Sequence, residues 1–190
     1  ELIRQVFFVL VSLSIPAIVI FISCAKEIVH VLFSQNFDRS ILPLQITAPL
    51  ILIVSLSSIF GFQVLSALAK DRQILYSAII GMSVSVVLSV LLVPSLMEVG
   101  EAITILVTEL SVSVSFIYFT KKYFKVGGLT NMFLKQLVGA LPYIVFVIIF
   151  KSIINDSIIV LTSISIISLI WFCIYHLFIL KNSYFKVYLN

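Results

Sequence analysis

From Ile41 to Ala69 the chain carries no charged residue, and this run limits the possible folds more than any other feature. At 1.5 Å per residue a helix of that length exceeds the roughly 30 Å hydrocarbon layer of a bilayer, whereas a surface helix in water needs a polar face. Similar apolar runs extend from Val6 to Cys24, Ile74 to Leu92, Ala102 to Phe119, Phe133 to Phe150 and Ile158 to Leu180. Membrane strands need only about 9 to 11 residues with alternating faces, so runs this long and apolar on all sides predict helices. The expectation is an all-α integral membrane protein, a bundle of about six transmembrane helices.

Composition supports the same reading. Hydrophobic residues make up 62% and charged residues 11%, against about 25% charged in a soluble domain, which leaves too little polar surface to face water. The excess excludes a disordered chain, a collagen, a basic nucleic-acid-binding domain and a disulfide-stapled secreted module. No leader-like segment precedes the first run, and the chain opens at Glu1, so the expectation is a piece of a longer protein. Residues 1–120 read as a core of four helices, and 121–190 as a basic loop followed by two more.

The basic residues fall mainly on one side. With the amino end cytoplasmic, Arg4, Lys70, Arg72, Lys121, Lys122, Lys125, Lys135, Lys181 and Lys186 face inward, and Lys26, Arg39 and Lys151 outward. Both ends of the segment are then cytoplasmic, and the acidic turn with Glu98 and Glu101 is external. Cys24 and Cys173 separate to opposite faces, too far apart for a disulfide. The net charge of +4 therefore speaks to topology rather than to an acidic partner.

Few residues carry chemistry. His30 and His176 lie near opposite faces and match no catalytic spacing, and two Cys and two His without paired spacing predict neither a metal site nor an enzyme. Glu109 is the acidic residue placed well inside a span, about two turns from its outer end, where a carboxyl group should face the bundle interior or a wet cavity. It is a candidate for binding H+ or Na+, or else a carboxyl hydrogen-bonded to a neighbouring helix. Gln63, a long amide in hydrocarbon, needs partners that a sugar, a water-filled path or another helix would supply. Lys121, Lys122 and Lys125, beside Tyr123 and Phe124, suit anionic headgroups at the cytoplasmic surface and equally suit a plain topology signal. The serines and glycines of the second and third runs read as helix-packing positions.

The order of features resembles a known family. A proline-bearing helix leads into Glu27-Ile-Val-His-Val-Leu-Phe, and a second run ends Gly61-Phe-Gln-Val-Leu-Ser-Ala-Leu-Ala-Lys-Asp-Arg; Leu91-Leu-Val-Pro, Gly100-Glu-Ala-Ile and Glu109 follow. This succession resembles the bacterial polysaccharide flippases that export O-antigen, capsule or teichoic-acid units, within the multidrug, oligosaccharidyl-lipid and polysaccharide exporter superfamily. The resemblance covers about Val6 to Phe119 and departs from the family pattern at Ser34, Ala69 and Glu101; the last two helices match only in hydrophobicity. It implies the C-terminal lobe of a two-lobed inner-membrane transporter whose N-terminal lobe is absent. The implied cargo is an undecaprenyl-pyrophosphate-linked oligosaccharide, moved by alternating access, with membrane lipids as surroundings and no nucleic acid as partner. A multidrug exporter or a peptidoglycan-precursor flippase would share the helices and differ in the cavity. A membrane-embedded glycan polymerase would need a long external loop, and no connector on that side has the length.

Overall fold

The computed structural model describes residues 2–33, 35–123, 129–153 and 156–175. Helix α1 (Leu2–Ser23) contains Pro16 and breaks at Cys24, where a short amphipathic helix α2 (Ala25–Phe33) begins. A 3₁₀ turn (Gln35–Ser40) leads into α3 (Ile41–Thr47) and α4 (Leu50–Ser57), followed by a π-helical stretch (Ser58–Ser66). Then come α5 (Asp71–Thr120), α6 (Leu129–Ile153) and α7 (Ser157–Ile174). No strand occurs among the described residues.

The charge-free run from Ile41 to Ala69 is bent. A bend of 42° separates the segment ending at Thr47 from that starting at Leu50. Pro49 occupies the N-cap of α4, where its missing N–H costs nothing, whereas Pro43 stays inside α3. Gly61 does not interrupt the helix; its missing side chain admits the Phe116 ring, and an added Cβ would lie 2.7 Å from Phe116 Cε2.

Helix α5 is helical almost throughout, yet it is not a straight rod. At Met97 the backbone adopts φ 50° and ψ −124°, and the chain turns back. In a straight helix Gly81 and Val112 would stand about 46 Å apart, and Lys70 and Tyr123 about 80 Å. Instead, a Cβ built on Gly81 would lie 2.5 Å from Val112 Cγ2, and one on Gly100 would lie 2.5 Å from the Leu92 carbonyl oxygen. At the open end the Lys70 ammonium sits 5.8 Å above the Tyr123 ring. Helix α5 is therefore a hairpin of two antiparallel arms. The sequence places the end of its first arm at Leu92, before Pro94; the helix runs through Pro94, and Met97 makes the turn.

Small residues let the arms approach. Ser77 and Gly81 are buried on the first arm, Gly100, Ala102, Thr104 and Ser113 on the second. The outward faces are apolar: Leu75, Ile79, Met82, Val86 and Val90 are all exposed at helical spacing. Across the molecule buried polar residues such as Ser12, Ser14, Ser77, Thr104 and Thr120 coexist with exposed leucines, isoleucines and valines. Water could not tolerate that inversion, whereas lipid favours it, and most of the buried hydroxyls satisfy themselves against the carbonyl four residues back. Among the described residues three helices are long and apolar enough to cross a membrane, or four when the bent α3–α4 pair counts as one span.

Two cores hold the bundle. Phe7, Val11 and Ile15 of α1 meet Ile59, Phe60 and Leu65 of the π-helical stretch, Phe116 of α5, and Ala140 and Tyr143 of α6. A smaller cluster joins Cys24 to Val147 of α6 and Val160 and Ile164 of α7. Asp156 caps α7 by accepting from the amides of Ile158 and Ile159, at 2.8 and 3.3 Å. Helix α7 is then fixed on α6 through Trp171 Nε1, which donates to the Gly139 carbonyl at 3.2 Å, and Tyr175, whose hydroxyl donates to the Lys135 carbonyl at 2.5 Å.

Candidate functional site

The polar groups fall into three layers. One end of the bundle carries the exposed residues Arg72, Lys121 and Lys122 together with Lys70, which is half-buried. There the Lys121 ammonium lies 3.9 Å over the Tyr118 ring, and Lys70 covers Tyr123 as described. An ammonium over an aromatic ring is attracted by the ring face, an arrangement suited to the level where lipid headgroups meet water. Lys125, Lys181 and Lys186 lie outside the described residues.

The middle layer is broad: Glu109 stands near its centre, and Gln63, two residues beyond the Gly61 that packs on Phe116 and seven from Lys70, stands toward the lysine end. The second arm of α5 starts at the Met97 turn rather than at Ala102, so Glu109 lies about 18 Å along it, not two turns from its start. That is close to halfway along the arm. Glu109 is half-buried and makes no hydrogen bond or ion pair among the described residues. The neighbouring Thr108 hydroxyl is buried and also without a hydrogen-bond partner. Gln63 is half-buried in the π-helical stretch, a geometry that frequently accompanies functional positions, and it too lacks a hydrogen bond among the described residues. No hydrogen bond joins Gln63 to Glu109.

Two features of this layer escaped the sequence reading. Gln136 is buried in α6 and its amide donates to Ser12 Oγ of α1 at 2.8 Å, while that hydroxyl donates to the Phe8 carbonyl at 2.6 Å. The signal was available, since Gln136 is a long amide inside an apolar run, the same feature that singled out Gln63. Beside it, Ile15, Val19, Leu52, Leu137 and Ile144 line an apolar slot of about 400 Å³ between α1, α4 and α6.

The opposite end is built around α2. Lys151, at the end of α6, donates to the Ser23 carbonyl at 2.5 Å and pairs with Glu27 Oε1 at 2.9 Å. His30 of α2 meets Asp38 of the 3₁₀ turn at 2.6 Å. Asp38, Arg39 and Leu42 face Ser95, Met97 and Glu98 of the hairpin tip across a cleft of about 640 Å³. The thiols of Cys24 and Cys173 are free, the first buried and the second exposed.

Comparison of the chain with family models, with curated proteins and with solved structures finds no match.

Proposed function

We propose that this chain is one lobe of an inner-membrane transporter that carries a lipid-linked oligosaccharide across the bilayer by alternating access. On this reading six segments cross the membrane: α1, the bent α3–α4 unit with its π-helical extension, the two arms of α5, α6 and α7. The lysine-bearing end is cytoplasmic, and α2 and the hairpin tip face outward, in keeping with the asymmetry of basic residues.

Glu109 carries the proposal. A carboxyl group about halfway along a membrane-crossing arm is expensive unless it meets a partner or water, and this one has no polar partner among the described residues. Its partner is then cargo, a coupling H+ or Na+, or a second lobe that closes a cavity over it. The orphaned Thr108 hydroxyl beside it and the half-buried Gln63 add neutral groups suited to hydroxyl-rich cargo. The sequence resemblance supplies the cargo class: a charged headgroup and glycan cannot cross hydrocarbon unaided, while their lipid tail can remain in it.

The test is transport by the reconstituted protein in vesicles, with Glu109→Gln compared with the unmodified chain. Gln preserves size and hydrogen bonding but cannot exchange a proton, so the expected result is at least a tenfold loss of rate and loss of the response to an imposed proton or sodium gradient. An unchanged rate with an unchanged gradient response would remove Glu109 from the pathway.

A further inference from the structure

The end of the molecule built around α2 carries a feature that cargo binding does not use. Lys151 reaches from the C-terminus of α6 to two groups on either side of the Cys24 elbow, the last carbonyl of α1 at Ser23 and the carboxylate of Glu27 on α2. One cation thus fastens the α1–α2 elbow to α6. Directly beneath it, Cys24 is fully buried against Val147 of α6 and Val160 and Ile164 of α7.

The clasp is incompletely satisfied. Glu27 Oε2 is buried and has no hydrogen-bond partner among the described residues, although Oε1 is paired. A half-satisfied ion pair retains part of the cost of leaving water, so opening it rehydrates a carboxylate oxygen and offsets much of the lost Coulomb attraction. Such a contact fixes one arrangement of helices without making it hard to leave. The geometry also sets what opening would do: with Lys151 detached, the elbow keeps the apolar contacts around Cys24 with α6 and α7 among the described residues, and the slot between α1, α4 and α6 lies farther along the same seam.

We propose that the Lys151–Glu27–Ser23 clasp is a releasable latch that holds the α1–α2 elbow against the α6–α7 pair, and that its release parts this end of the seam and uncovers Cys24. The latch rests on the fold alone and stands whether or not the oligosaccharide reading holds.

Cys24 is a built-in reporter. In a Cys173→Ser background of the full chain in nanodiscs, a water-soluble maleimide should modify Cys24 slowly. Lys151→Met and Glu27→Gln should each accelerate labelling at least tenfold. Lys151→Arg, which keeps the charge and the donors, should stay near the unmodified rate. Combining Lys151→Met with Glu27→Gln should add little to the faster single variant, because both remove one fastening.

Local electrostatics would give a different pattern, since the Lys151 charge favours the Cys24 thiolate and the Glu27 charge disfavours it. The two single variants would then shift labelling in opposite directions, and that result would overturn the latch. So would unchanged rates in both, or single effects that multiply in the double variant. Should Lys151→Met fail to give folded protein, Glu27→Gln decides through amide hydrogen exchange around Cys24, which thiolate charge does not affect: the latch expects faster exchange than in the unmodified chain, and unchanged exchange would overturn it.

Discussion

Gly100→Ala is expected to destabilise the protein by about 3 kcal/mol or more, the upper range for overpacking, and to do so by forcing apart the arms of α5. An alanine Cβ would lie 2.5 Å from the Leu92 carbonyl oxygen, 2.7 Å from its carbon and 3.1 Å from Val93 Cα. All three are backbone atoms, so no rotamer change relieves the clash. Gly81 provides a milder contrast: its added Cβ would meet Val112 Cγ2 at 2.5 Å, a stiff β-branched side chain but not backbone, and Gly81→Ala should cost about 1 to 2 kcal/mol. At the turn itself the sign reverses. Met97 holds φ 50° without being glycine, and Met97→Gly should gain up to about 1 kcal/mol by relieving that strain. Unfolding in mixed micelles, followed by circular dichroism, would rank the three. Equal stability of Gly100→Ala and Gly81→Ala would mean that the arms do not meet near the tip.

Phe60→Ala should be the next most damaging change, and Phe62→Ala close to neutral, although the two rings are near neighbours in sequence. Phe60 is 2% exposed in the core shared by α1, the π-helical stretch, α5 and α6, whereas Phe62 is 67% exposed. In lipid the usual hydrophobic term is absent, because an exposed ring already contacts hydrocarbon. What Phe60→Ala loses is packing: a cavity on the order of 100 Å³ at about 24 cal/mol per Å³ costs roughly 2 kcal/mol or more. Thermal denaturation of the two variants in the same detergent checks this. Similar losses for both would contradict the placement of the π-helical stretch, which turns Phe60 inward and Phe62 outward.

The charge-free runs made the helical character and the lipid-facing composition legible, because the period of a bilayer-crossing segment is its length rather than its pattern. Local geometry was less accessible. Pro43 and Pro49 look alike in sequence, but one stays inside α3 and the other caps α4. Pro94 resembles a stop and is helical, while the reversal occurs at Met97, a residue whose positive φ no propensity would suggest. Glu109 was identifiable from its charge, whereas its place about halfway along an arm depended on where the turn fell. The fastening of Lys151 to Glu27 and Ser23 joins positions far apart in the chain, and only the packing of α6 against α1 brings them together.

The hairpin and its crossing of the bilayer form the centre of this account, and site-directed accessibility tests them together. Glu98→Cys at the tip and Lys122→Cys beyond the open end, each in a chain lacking Cys24 and Cys173, would be exposed to an impermeant maleimide on sealed cells. Glu98→Cys is expected to be labelled directly and Lys122→Cys only after the membrane is permeabilised. Labelling of both positions from the outer side of intact cells would contradict it.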